Sequence, residues 1–214
     1  MSVYANLAAV IEDRLFPSVD VRLREGCHLC TDDREAFAFV TTAYPFLERL
    51  YERYGYDLVR AEAGYVYLKP NAAVRQAKLS AASMLVGQAL AALLLDPAIF
   101  ALDRRVYRAR LIDTLQQVVG EERLLKTLKV TKKSRNATIE AQNLRREVDA
   151  ALRTLEQLGF VRLLDEAIEL RTPLYRFVEA VKGAGNERAA MDDLLAGEVG
   201  GTEHDEPELE DESE

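Results

Sequence analysis

Cys27-His28-Leu29-Cys30, followed by Asp32-Asp33, is the densest group of chemically capable side chains in the chain. Two thiols and an imidazole within four residues could be half of a zinc site or a redox C-x-x-C pair. A structural zinc takes four protein ligands. The chain has no other Cys, and its other His is His204, close to the C-terminal end. A redox pair belongs to a thioredoxin-like strand–helix context, which the surrounding pattern lacks. Two small thiols buried after a helix explain the spacing more simply. The neighbouring acids could be a carboxylate pair for metal or acid–base work. Acids opening a helix, where they favour the positive end of its dipole, account for them fully.

The second constellation is basic. From Arg123 to Ile139 there are six cations and no acid: Arg123, Lys126, Lys129, Lys132, Lys133 and Arg135. Arg145, Arg146 and Arg153 follow on a helical stretch, away from its Leu144, Val148 and Leu152 side. A basic loop leading into a basic helix face neutralises phosphates, which gives salt-dependent affinity that ignores sequence. Lys129, Lys132, Lys133, Arg135, Arg145, Arg146 and Arg153 are therefore the candidate DNA contacts. A solvated charged face is the competing reading. Base readout is not expected, because Asn136, Gln142 and Asn143 are the nearby amides.

The elements that must position these residues follow from periodicity. A short helix is expected over 4–14 and another over 17–25, with Pro17 in its first turn and Gly26 closing it. A brief strand at 27–30 comes next. Thr31 then caps a third helix, in which Pro45 should produce a kink or break and which Gly55 ends. Strands at 56–60 and 65–69 flank a turn at 61–64. The second half repeats the plan. Helices are expected over 75–95, 105–119 and 138–158, joined by a polar linker at 129–137. A tight hairpin over 160–164 and 167–170 and a last helix over 172–181 complete it. Three helices followed by a β-ribbon is the order of a winged-helix module, and such modules bind other macromolecules.

The fold class expected is mainly α with small β-wings: winged-helix domains at 1–71 and 72–183, then a disordered acidic tail at 184–214. At 214 residues, 49% hydrophobic and 30% charged, the chain can build ordinary cores. Its formal charge of −8 is unevenly spread. Eight acids and no base lie in 203–214, and the remaining 28 acids balance 28 Lys and Arg. The tail's acidity therefore says nothing against DNA contact by the body. The uncharged run at 79–95 is 17 residues, short of the roughly 20 that a membrane span needs, and reads as a core helix that could also face a partner. Tyr44, Tyr51, Tyr54, Tyr65 and Tyr67 gather in the first module, as core or as interface. The N-terminus lacks a basic start followed by an apolar stretch, so a cytoplasmic protein is expected. The chain has no G-x-x-x-x-G-K-[ST] loop, no G-x-S-x-G elbow and no H-E-x-x-H. A non-enzyme without cofactor or metal is expected.

One irregular signature runs through the first module. It reads Leu15-Phe16-Pro17, Asp20, Leu23-Arg24, Gly26, His28, Asp32-Asp33, Tyr51, Arg53-Tyr54, Gly64, Tyr67-Leu68 and Pro70. Sparser matches follow at Met84, Val86-Gly87, Leu158-Gly159 and Tyr175-Arg176-Phe177. In this order the residues resemble the MukE family of accessory subunits of bacterial SMC-type condensins. The resemblance implies two winged-helix domains, a homodimer, a stable complex with the kleisin MukF, recruitment to the SMC ATPase MukB, association with the nucleoid, and a role in chromosome condensation and segregation. Pro45 departs from the family pattern, whose third helix should be continuous. The divergent second half leaves room for an MksE-type or plasmid-defence branch. A stand-alone winged-helix transcriptional regulator is the alternative.

Overall fold

The computed structural model describes residues 3–71, 74, 78–100, 103–120, 124, 127–128 and 137–178. The chain runs α1 (Leu7–Ile11), α2 (Phe16–Arg24), β1 (Leu29–Cys30), α3 (Arg34–Arg53), β2 (Tyr56–Ala61) and β3 (Tyr65–Pro70). The second half follows with α4 (Ala81–Leu94), α5 (Pro97–Phe100), β4 (Arg105–Tyr107), α6 (Arg108–Val119), α7 (Ala137–Gln157), β5 (Val161–Leu163) and β6 (Ala167–Leu170). A 3₁₀ turn, Thr172–Tyr175, comes last.

Each half ends in an antiparallel hairpin, and each hairpin recruits an earlier short strand. The orders are β1-β3-β2 and β4-β6-β5. The two-strand ribbons expected from sequence are thus three-stranded sheets. Helices cover one face of each, and the apolar residues form two clusters. One draws on residues 10–68 and includes Val10, Leu23, Phe39, Leu47 and Tyr51. The other draws on 85–178 and includes Leu90, Leu111, Leu152, Ile168 and Phe177.

Several expectations need correction. The first helix spans Leu7–Ile11 rather than 4–14, starting where the Asn6 side chain accepts the Ala9 N–H at 2.9 Å. Thr31 does not cap α3. Asp33 holds the cap position but makes no capping bond, because its carboxylate is drawn to two arginines. Pro45 does not break α3, which runs on as one helix. Pro45 sits on the exposed side, while Phe39, Val40, Ala43, Leu47 and Tyr51 anchor the buried side across it. Packing there outweighs the missing donor at Pro45. α4 begins at Ala81, not 75, because Ser80 accepts the Ser83 N–H at 3.0 Å. Residues 105–107 form a strand instead of the start of a helix. The final segment opens as a 3₁₀ turn; residues 179–181 of the expected helix lie outside the described residues.

The run at 79–95 is a core helix. Nine residues of α4 are buried, among them Gly87. A Cβ on Gly87 would lie 2.4 Å from the Phe177 ring, so only glycine lets that ring rest on α4. The signature residues Gly87 and Phe177 thus meet in space.

Candidate functional site

The C-x-x-C segment lies where the two halves touch. Gly26 takes φ +87° after α2 and turns the chain into β1. The next backbone amide, past Cys27, reaches across: the His28 N–H donates to the Leu158 carbonyl at 2.8 Å. That carbonyl follows the last turn of α7, where helical carbonyls lack partners within the helix. His28 Nδ1 also lies 3.0 Å from it, and His28 Nε2 lies 2.6 Å from Arg176 Nη1. An arginine can only donate. The geometry therefore assigns the proton to Nδ1, donating to Leu158, and the lone pair to Nε2, accepting from Arg176. The ring stacks on Tyr67 with centroids 5.0 Å apart and meets Phe160 at 4.4 Å. Arg176 lies 4.1 Å over the Tyr67 ring. Burial, then the Arg176 charge, pushes the imidazole down to about 3, so it is neutral.

A second knot sits beside the first. Arg171, 5% exposed, donates from Nη1 to the Gly159 carbonyl at 3.2 Å and from Nη2 to Cys30 Sγ at 3.2 Å. It also pairs with Asp33. The other oxygen of Asp33 accepts from Arg22 Nη2 at 2.9 Å. Burial works against the Asp33 charge, but the Arg22 hydrogen bond and the Arg171 charge outweigh it and hold the carboxyl below the usual carboxylate range. Asp32 lies 3.7 Å from Arg171 Nε. Gly159, at φ +79°, closes the seam; a Cβ there would lie 2.3 Å from the His28 carbonyl oxygen.

This arrangement leaves little reactive chemistry in the segment. Burial raises the Cys27 thiol against the charge of Arg22, and raises Cys30 to about 11 against the charge of Arg171. Both are free, buried thiols, and reactive thiolates need the opposite shift. Among the described residues no group of three or more His, Cys, Asp or Glu could hold a metal. The acids at 32–33 do more than favour a helix end, since Asp33 ties two halves of the chain together. Arg171 and Arg176 were not singled out from sequence as partners for these groups. Two adjacent acids beside a lone imidazole were the available signal.

The basic constellation is placed only in part. Lys129, Lys132, Lys133 and Arg135 lie outside the described residues, as do Arg123 and Lys126. Arg145, Arg146 and Arg153 are exposed on α7, while Leu144, Val148, Leu152 and Leu155 are buried on its other side. Arg146 and Arg153 are seven residues apart, which aligns them about 10.5 Å apart along the helix. Asp149, between them in sequence, pairs with Arg108 at 3.3 Å. The tyrosines divide: Tyr51 and Tyr65 are buried, Tyr44 and Tyr67 half-buried, and Tyr54 is exposed. The tail at 184–214 lies outside the described residues, and among the described residues no helix is long and apolar enough to cross a membrane.

His28, Asp33, Tyr67, Leu158, Gly159 and Arg176 at the seam belong to the signature, whereas Arg22, Cys30, Phe160 and Arg171 do not. The model of the MukE-like family matches residues 3–214. The chain belongs to the MukE-like family. Relatives named chromosome partition protein MukE are similar over most of their length. The protein of Vibrio cholerae is 34% identical over 190 residues, covering 87% of this chain and 81% of the relative. That of Mannheimia succiniciproducens is 32% identical over 223 residues, covering 96% and 91%. That of Escherichia coli K12 is 30% identical over 194 residues, covering 88% and 82%. Within this MukE-like chain, His28, Asp33, Gly159 and Arg176 have a common physical purpose: they fix one half against the other.

Proposed function

We propose that this chain is a non-enzymatic accessory subunit of a bacterial SMC-type condensin, acting in chromosome condensation, partition and segregation. In this reading it carries tandem winged-helix domains at 1–71 and 72–183, forms a homodimer, binds the kleisin MukF and through it joins the SMC ATPase MukB. ATP hydrolysis belongs to the ATPase. Membership of the MukE-like family along 3–214 is the observation that supports this most. The seam supports it too: His28, Cys30 and Asp33, among the side chains most able to do chemistry, are occupied in holding the halves together. DNA contact is weak in isolation and non-specific, made by Lys129, Lys132, Lys133 and Arg135 together with Arg145, Arg146 and Arg153, and it gains strength from neighbouring subunits by avidity.

Affinity purification of the tagged chain from its host tests the reading. A kleisin and an SMC ATPase in near-stoichiometric yield are expected. A lone chain that binds one operator with base discrimination would contradict it and favour a transcriptional regulator. Charge reversal of Lys132, Lys133 and Arg135 should loosen DNA from the assembled complex; unchanged retention would remove these residues from the interface.

A further inference from the structure

The arginines of α7 stand on the side of the helix away from the core. Leu144, Val148, Ala151, Leu152 and Leu155 are buried. At about 100° per residue, Arg146 and Arg153 lie opposite that stripe and Arg145 on one flank. The acids of the same helix do not answer them. Asp149 is taken by Arg108 at 3.3 Å. Glu156 accepts the Leu163 N–H at 2.7 Å, and Glu147 is half-buried on the other flank. Among the described residues Arg145, Arg146 and Arg153 make no ion pair. An uncompensated cationic face draws whatever anion is held near it.

The chain itself holds one there. The last described residue is Val178. Its neighbour Phe177 packs on Phe160 with ring centroids 4.9 Å apart. Arg176 reaches His28, which sits on the Leu158 carbonyl. Leu158 and Phe160 directly follow α7, so the described chain stops at the C-terminal end of that helix. From Leu158, Arg153 lies about 8 Å and Arg145 about 20 Å back along the axis. Residues 203–214 hold eight acids and no base. The about 25 residues from Val178 to Glu203 reach at most about 80 Å, far more than the face requires. Glu206, Glu208, Glu210, Glu212 and Glu214 occupy alternate positions, the spacing at which an extended segment sets side chains on one side. Arginine meets a carboxylate with the same fork of donors that it offers a phosphate.

We propose that the acidic segment 203–214 of the same chain occupies the Arg145, Arg146 and Arg153 face of α7, and that DNA must displace it. The tether makes the contact intramolecular, so weak pairs suffice to form it. Each exposed pair contributes little by itself, so phosphates in sufficient number replace the carboxylates. A lone chain therefore holds DNA poorly, and an assembly that presents many phosphate contacts at once holds it well. The competition rests on the DNA contact proposed above for α7.

A nitroxide on Ser213→Cys reports the contact in the full-length chain; Cys27 and Cys30 are buried and leave the new thiol as the one labelled. The expected result is broadening of the amide signals of 145–153 at about 50 mM salt, relieved at about 200 mM. Glu206→Gln, with the same change at Glu208, Glu210, Glu212 and Glu214, keeps the length of the chain. It should relieve the broadening and tighten DNA retention by the complex assembled with kleisin and SMC ATPase about tenfold at low salt. Unbroadened signals at 145–153 would overturn the proposal. Broadening seen only between spin-labelled and isotope-labelled chains would overturn the same-chain assignment in favour of a second copy. Broadening with equal DNA retention in both tail forms would overturn the competition and leave the DNA reading intact. Retention by neither form would overturn the DNA reading, and the competition with it. A tenfold gain that persists after Arg145→Glu, Arg146→Glu and Arg153→Glu together would mean that the segment repels DNA by net charge alone, and its seat on α7 would fall.

Discussion

The seam between the halves and the arginine face of α7 carry similar residue types in opposite environments. At the seam, Arg171 and Arg176 are tied to Asp33, Cys30, Gly159 and His28 over separations of 12 to 148 residues. On α7, Arg145, Arg146 and Arg153 are exposed to solvent. A buried cation is costly to leave unpaired and holds structure, whereas an exposed one costs little and is free to meet a ligand. The chemically loud residues, Cys27, His28, Cys30 and Asp33, thus sit in the architecture, and the arginines of α7 stay at the surface, where the proposed DNA contact requires them.

Mutations should separate the two regions sharply. Arg171→Met should have the largest effect, destabilising the fold by about 3–5 kcal/mol, because it strips Asp33, Cys30 and Gly159 of one shared donor; chemical denaturation measures this. Gly159→Ala should cost about 3 kcal/mol, from a left-handed backbone plus the collision with the His28 carbonyl. Gly64→Ala is its control: Gly64 has φ +88° but open space around it, and it should lose about 1 kcal/mol, the strain alone. Equal losses at both glycines would mean that the close approach at the seam has no energetic weight.

Acid should act on the same seam. His28 is held below its ordinary value, so its contribution is complete above pH 6.5 and is lost as pH falls through the window from 6.5 toward 3. Within that window stability should fall by about 1.4 kcal/mol per pH unit. Asp33, also held low, adds a loss in the same direction at still lower pH. His28→Gln should flatten the slope between pH 6 and 4; an unchanged slope would assign it to another group. The smallest stability effect belongs to α7: Arg145, Arg146 and Arg153 changed together to Glu should shift stability by less than about 0.5 kcal/mol each, while DNA retention by the assembled complex drops and its salt dependence shallows.

The elements were legible where one side of a segment is buried. The Leu144, Val148, Leu152 and Leu155 stripe marked α7 almost to the residue, and alternation marked β2 and β3. Short elements were not legible. β4 is three residues leading directly into a helix, and its strand character comes from β6, some 60 residues later. The cap of α3 was misread because Asp33 answers to Arg171, 138 residues away. Spacing reveals local periodicity and says nothing of such contacts. The signature residues could be read as a set, yet their joint purpose needed His28 to be seen on the last turn of α7.

Native mass spectrometry of the purified chain mixed with its kleisin and the SMC ATPase head tests the docking role most directly. The expected result is a single assembly in which the chain is present in two copies and no free monomer persists at equimolar kleisin. A chain that stays monomeric and unbound under those conditions would contradict it.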